Sequence, residues 1–364
     1  MAKYIRRVLL ILTAPPAAFM LYVAAVFAHA GLTDFQPADV IPATNEGPAL
    51  STLLQDSTIT CLTWNIGYAG LGAETAFFYE QGRQLHSGDM DVITPLHLVQ
   101  KNQSGIAAFL QDHPVDFCLL QEVDQRSKRS HYTNQFEAFS QVLPQMEAHF
   151  ATNYDVKRIP VPNLEPFNVY GKVLSGLATY SAYHSSSSNR LQLPGEYPWK
   201  DRIFQLDRCL LVNRIPFGNG ELVLINLHHS AYDQGGYIKA QQMAFLRELM
   251  RKEYSQGHHV IAGGDWNQCP PGFTPDQLAG GVTTDNEYLK INADFLPTEW
   301  SWTFDATTPS HRETQTRYIP DSTFVSVIDF YLTSPNVEVV DHQTVDADFR
   351  YADHQPVLAS FKLK

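Results

Sequence analysis

The stretch His259-Val260-Ile261-Ala262-Gly263-Gly264-Asp265-Trp266-Asn267 is an apolar run of strand type, broken by two glycines and closed by a carboxylate and an amide. A buried strand that ends this way brings polar atoms to the rim of a core, where each needs a partner or a task. Five other clusters in the chain are built alike. Thr63-Trp64-Asn65 ends a run that begins at Thr58, Leu120-Gln121-Glu122 ends one from Val115, and Asn226-Leu227-His228 ends one from Leu222. Ile328-Asp329-Phe330 lies within Val327–Leu332, and Asp353-His354 stands just ahead of Gln355-Pro356-Val357 and a last strand. Acceptors and proton carriers set along one rim are the usual construction of a metal-assisted hydrolytic site.

Around these clusters the chain alternates strands and helices. Ser175–Tyr180 and Cys209–Asn213 add further strands, while Leu98–Gln111 and Gln241–Tyr254 space their apolar residues helically. Tyr68–Thr94 and Tyr183–Trp199 read as long loops, and loops of such length in a compact domain usually serve a function. A chain of 364 residues, 44% of them hydrophobic, can bury one large core or two modest ones. One domain over residues 58–364 is the economical reading. Residues 31–57, with Pro37, Pro42 and Pro48 and no clear period, read as a linker.

The amino terminus carries Lys3, Arg6 and Arg7 ahead of an uncharged apolar stretch over residues 8–28, followed by Ala28-His29-Ala30. This fits a signal peptide over residues 1–30, cleaved after Ala30. It fits equally a retained anchor with its basic end in the cytoplasm, which would associate the chain with a membrane. Either way the remainder is expected outside the cytoplasm, periplasmic, secreted or membrane-anchored.

The balance of 26 Lys plus Arg against 38 Asp plus Glu gives a net charge of −12, which disfavours non-specific nucleic-acid binding and suits recruitment of a divalent cation. Cys61, Cys118, Cys209 and Cys269 lack C-x-x-C spacing and read as buried small hydrophobes, with a Cys61–Cys118 disulfide left open for an exported chain. His86, His97, His113, His131, His184, His311 and His342 read as surface or loop residues, and Trp300 and Trp302 as core or rim.

In their order, Trp64-Asn65, Gln121-Glu122, Asn226-Leu227-His228, Gly264-Asp265-Trp266-Asn267, Ile328-Asp329-Phe330 and Asp353-His354-Gln355-Pro356-Val357 resemble the hallmark segments of the endonuclease/exonuclease/phosphatase superfamily, the deoxyribonuclease-I-like fold. The resemblance runs from about Thr58 to the carboxyl terminus. It implies an α+β fold, a four-layer α/β/β/α sandwich of two packed mixed β-sheets flanked by helices, and metal-dependent cleavage of phosphoesters. It implies Mg2+, with Mn2+ or Ca2+ as substitutes, held by Glu122 as main ligand with Asn65 beside it and Asp353 completing the shell. Asp265 would orient or deprotonate the attacking water, and Asn267 would hold a phosphate oxygen. His354, oriented by Asp329, would contact the scissile phosphate, and His228 would donate to the phosphate or assist the leaving group.

The chain departs from the pattern at Leu227, where the family often has threonine, and by a second histidine, His229, although the alignment favours His228. Arg208 is a candidate phosphate or core ion-pair residue. The substrate is expected to be a lipid head group, a small phosphoester or a nucleic acid, with no protein partner. Acidic balance, a membrane-directed start and long insertions favour the first two over a secreted or periplasmic nuclease. A catalytically silent phosphate-binding module is the competing reading from another class, against which stands the complete set of ligands.

Overall fold

In the computed structural model, which describes residues 2–231, 233, 235–275, 278 and 290–364, the chain opens with helix α1 (Ala2–Leu32). Strands β1 (Val40–Pro42), β2 (Thr44–Glu46) and β3 (Thr58–Asn65) follow, then α2 (Leu96–Asp112), β4 (Phe117–Asp124) and α3 (Gln135–Val142). Next come β5 (Glu147–Ile159), β6 (Gly171–Ser181), β7 (Ser187–Gln192), the short α4 (Trp199–Arg202), β8 (Cys209–Phe217) and β9 (Gly220–His228). The chain continues through α5 (Tyr237–Ser255), β10 (His259–Asp265), β11 (Ser301–Thr303), β12 (His311–Arg312) and β13 (Val325–Ser326). It closes with β14 (Asp329–Thr333), β15 (Val337–Thr344) and β16 (Val357–Leu363).

Two seven-stranded sheets result, in the orders β1-β7-β8-β9-β10-β14-β11 and β15-β16-β3-β4-β6-β5-β2. Both are mixed, because β9 and β10 run parallel in the first and β3 and β4 run parallel in the second. Strand alternation builds the layers. On β3 and β4, Ile59, Cys61, Phe117 and Leu119 face the other sheet, where they meet Leu222, Leu224, Ile261 and Tyr331. Their neighbours Leu62, Trp64, Cys118 and Leu120 face outward under Val99, Ile106 and Leu110 of α2 and Phe136 and Phe139 of α3. On the far side, Met243, Leu246 and Met250 of α5 cover Val223, Ile225, Val260 and Ala262. This is the four-layer sandwich expected from the sequence.

Polar residues also cross the middle layer. Gln121 Nε2 donates to Asn226 Oδ1 at 2.8 Å, and Asn226 Nδ2 donates to Ala178 O at 2.9 Å. Asn226, part of a hallmark segment, thus ties the two sheets together.

Several expectations are corrected. The stretch read as a linker is partly woven into the fold: β1 pairs with β7, β2 pairs with β5, and Leu54 is buried between the sheets. Three-residue edge strands interrupted by proline carry too little alternation to be recognised. The Tyr183–Trp199 loop contains β7, whose Ser-Ser-Asn-Arg start hid its pairing with β8. Strand β5 and helix α3 have no clear pattern in the sequence, β5 because it buries polar residues such as Glu147, His149 and Asn153. A Cys61–Cys118 disulfide is ruled out. All four cysteines are free, and Cys61 faces the other sheet while Cys118 faces the helices. Trp302 packs in the core against Trp266, ring centres 5.5 Å apart.

One glycine is required where β10 meets β9. Gly264 has φ +149°, and a Cβ there would lie 2.0 Å from the Leu227 carbonyl oxygen, which is backbone and cannot yield. Gly264→Ala is therefore expected to destabilise the fold by about 3 kcal/mol, the upper end of ordinary overpacking. A denaturant midpoint within the error of the parent protein would refute the close approach.

Candidate active site

The rim of the sandwich is set by strand register. Asp265, last residue of β10, pairs with His228, last residue of β9, and with Asp329, first residue of β14. Three adjacent strands thereby deliver an imidazole and two carboxylates side by side. Asn65 comes from the other sheet, and its Nδ2 donates to Asp265 Oδ2 at 2.9 Å. The same oxygen lies 3.2 Å from His228 Nε2 and 3.7 Å from His354 Nε2. Asp265 Oδ1 accepts the Asn267 backbone N–H at 2.9 Å.

Glu122 reaches this rim through an irregular strand. The pairing of β4 with β6 slips between Leu120 and Val123, and Glu122 takes φ +54°. Positive φ in a non-glycine strand residue is strained, and a bulge re-aims the side chain it carries. Its carboxylate lies 3.7 Å from Arg129 Nη1. Arg129 is itself locked: Nε and Nη2 bond Asp124 at 3.1 and 2.9 Å, and the guanidinium sits 3.9 Å from the Tyr68 ring centre. No local pattern around Arg129 announced this role.

His354 is gripped from both ends. Its Nδ1 lies 2.8 Å from Asp329 Oδ2, and since the carboxylate can only accept, the imidazole donates. Its carbonyl accepts from Trp64 Nε1 at 2.9 Å. Ser310 Oγ donates to the same Asp329 oxygen at 2.8 Å. Burial alone would discharge His354, but the Asp329 and Asp265 carboxylates outweigh it and raise its pKa, so it is positive at neutral pH. His228 behaves oppositely. Burial, then Arg208 and His354, hold it well below the usual histidine range, leaving it neutral.

Asn267, in a left-handed conformation with φ +50°, commits one Nδ2 hydrogen to the His229 carbonyl at 2.9 Å. His228 lines the cavity and His229 does not; the latter's ring sits edge-on to Trp266 at 5.6 Å, and burial pushes its pKa down to about 3. Arg208 is buried on the cavity wall, with Nη1 3.5 Å from the His228 carbonyl. Asp353 is buried as well, its Oδ1 without a hydrogen-bond partner, and burial lifts its pKa to about 7.

Every residue singled out for the site lines this one cavity of about 220 Å3 except Asp329, which stands behind His354. His311 is a correction. Read as a surface or loop residue, it lines the cavity with its ring 4.7 Å from that of His354. It bonds Ser326 Oγ at 3.1 Å across the β12–β13 ribbon, a pairing with no sequence signal of its own.

The donor set fits a hard divalent cation. Asp353 Oδ1 and Asp329 Oδ1 are buried oxygens with no partner, a costly state unless a cation or proton offsets it. Ligand atoms of His311, Asp353 and His354 lie within 4.8 Å of one another, and of these Asp353 is the free oxygen donor, since His354 is protonated and donates to Asp329. The carboxylates and amide around the cavity are oxygen donors of the kind magnesium prefers.

The profile of the Endonuclease/Exonuclease/phosphatase family matches residues 62–354. No curated protein matches the chain by sequence. Among solved structures, an endonuclease/exonuclease/phosphatase from Beutenbergia cavernae DSM 12333 is similar at 16% identity and TM-score 0.54, over 84% of this chain and 72% of that one. ANGEL2, a 2',3'-cyclic phosphatase in complex with adenosine-2',3'-vanadate, is similar at 13% identity and TM-score 0.53, over 89% of this chain and 99% of its own. D. rerio TDP2 complexed with single strand DNA product is similar at 13% identity and TM-score 0.51, over 84% and 100% of the two chains. At such identities the likeness is one of fold.

Proposed function

The chain belongs to the Endonuclease/Exonuclease/phosphatase family, and from that membership we propose a divalent-metal-dependent phosphoester hydrolase, anchored in a membrane with its catalytic domain outside the cytoplasm. The observation that carries the chemistry is the buried, unpartnered oxygen of Asp353 in the cavity that Glu122, Asn65, Asp265 and His354 also line. Glu122, Asp353 and Asn65 would hold the cation, which when bound neutralises charge developing on the phosphate oxygens.

The remaining steps belong to the chain's own groups. Asp265 takes a proton from the attacking water, whose oxygen forms the new bond to phosphorus. The bond from phosphorus to the leaving oxygen breaks, and that oxygen takes the Nε2 proton of His354, which Asp329 keeps charged and oriented. The proton on Asp265 then returns to His354 across their 3.7 Å separation. His228 and Asn267 frame the phosphate, with Arg208 supplying a positive charge at the wall.

The anchor reading draws on α1, long and apolar enough to cross a membrane, with none of its most apolar stretch buried. Ala28-His29-Ala30 is helical and Ala30 is buried, which supports retention over cleavage. Retention predicts that the full-length mass stays with the membrane fraction after an alkaline carbonate wash.

Chelation tests the mechanism. Dialysis against excess chelator is expected to lower hydrolysis of bis(4-nitrophenyl) phosphate by about 10^3-fold or more, with Mg2+ restoring it and raising Tm because ligand binds only the folded chain. Undiminished turnover in chelator would end this reading.

A further inference from the structure

On the hydrolase reading above, we propose that the substrate is a phosphoester borne by a membrane lipid, with its phosphate in the catalytic cavity and its chains in the groove between α1 and the domain. The groove, about 1200 Å3, is lined by Phe19, Tyr22 and Val23 of α1 and by Leu85, Leu164 and Tyr237 of the domain, with the charged Glu196, Lys200, Asp201 and Asp233 also on the domain side. It is continuous with the catalytic cavity: Tyr79, Val161, Phe204, Gln205 and Ala231 line both. Phe77, Phe78 and Ile159 add apolar surface to the cavity, alongside polar lining residues such as Glu80, Asn153 and Thr314. A water-soluble ester has no use for such an approach. An acyl or sphingoid chain does.

The depth of the groove follows from the helix. At 1.5 Å per residue, the 31 residues of α1 span about 46 Å, against about 30 Å for a hydrocarbon core. About 20 residues counted from Val8 therefore end near Phe27. There the ring of Phe27 packs on Trp199 and Phe204 at 5.8 and 5.7 Å, an aromatic cluster of the kind found at membrane interfaces. Phe19, Tyr22 and Val23 then lie just below that interface, and the charged residues that share the groove with them, Glu196, Lys200 and Asp201, fall at head-group level.

The surface beside α1 suits the same placement. Leu85 is 61% exposed, Leu164 58%, Trp199 57% and Phe167 98%. Around the other side of the helix, Lys128, Lys157, Arg158 and Lys172 gather with Tyr22 and His29. In a chain of net charge −12, these four cations, Lys157 paired with Asp155, stand on the face from which the anchor emerges and suit the phosphates of lipid head groups. Hydrolysis there forms the bond from the water oxygen to phosphorus and breaks the bond from phosphorus to the lipid oxygen. The lipid leaves as an alcohol carrying the proton, and the phosphorylated head group is released to water.

The test uses the full chain in proteoliposomes with Mg2+. It is offered unilamellar vesicles of phosphatidylcholine, phosphatidylglycerol, phosphatidylinositol or sphingomyelin, the matching chain-free head-group diesters, and a single-stranded DNA oligonucleotide. At least one lipid is expected to be cleaved 100-fold or more faster than its chain-free diester or the oligonucleotide. In Leu85→Asp with Leu164→Asp, lipid cleavage should fall at least tenfold. Cleavage of the chain-free diester, too short to reach either position, should stay within twofold, which also reports an intact fold. Faster cleavage of the diester or the oligonucleotide overturns the lipid inference and leaves the hydrolase reading standing, as does a double variant with undiminished lipid cleavage. Absence of cleavage in every arm removes both.

Discussion

Glu122→Gln is expected to lower turnover of any phosphoester substrate by about 10^3-fold, some 4 kcal/mol of transition-state stabilisation, while the protein remains folded. The substitution is isosteric and removes one charge. Glu122 is placed by the slip between Leu120 and Val123 and by its own φ of +54°, neither of which depends on the carboxylate. Arg129 keeps its partner, because its bidentate bond is to Asp124 and its contact with Glu122 is the longer one at 3.7 Å. Thermal unfolding without metal should therefore change little, whereas the rise in Tm on adding Mg2+ should vanish. That pairing separates lost metal binding from lost structure. Turnover within tenfold of the parent protein, with the Mg2+-dependent rise intact, would show that Glu122 holds no cation.

Asp265→Asn carries the second large effect. The carboxylate accepts from Asn65 Nδ2 through Oδ2 and from the Asn267 backbone through Oδ1, so both oxygens face donors. An amide in its place must turn its NH2 group toward one of them, losing a bond and the proton acceptor together. Loss of a positioned general base typically costs 10^2–10^4-fold, and kcat is expected to fall by about 10^3-fold with KM changed by less than about threefold. His354 keeps Asp329 as its counter-charge at 2.8 Å, so the buried cation is not left unpaired and the fold should hold. A steady-state comparison showing the loss in KM instead of kcat would assign Asp265 to substrate binding, contrary to the mechanism proposed.

How far the site could be read from sequence depends on how each residue is held. Asn65, Glu122, His228 and Asp265 lie at or near the ends of buried strands, and an apolar run that stops at a polar residue is visible to any reader of the chain. Arg129 and His311 are different. Arg129 sits in a short turn and enters the site only because Asp124, Tyr170 and Ser175 hold its guanidinium there. His311 enters because its two-residue strand pairs with β13 and bridges to His354. Neither position has periodicity, spacing or a neighbouring motif to mark it.

What the sequence determined by itself was the layer architecture and the polar set at its rim. The layers were implied by the resemblance that the strand-end clusters carry, and the polar set follows from local burial, because a charge closing a short apolar run must be answered by another group. What only the tertiary structure decided was register and neighbourhood. The alignment of His228, Asp265 and Asp329 across three strands, the bulge that turns Glu122 inward, and the capture of residues 40–46 as edge strands of two sheets all rest on pairings between distant segments. So does the groove that joins α1 to the cavity. Such pairings are fixed by the sum of contacts over the whole fold, and no single stretch of the chain carries them.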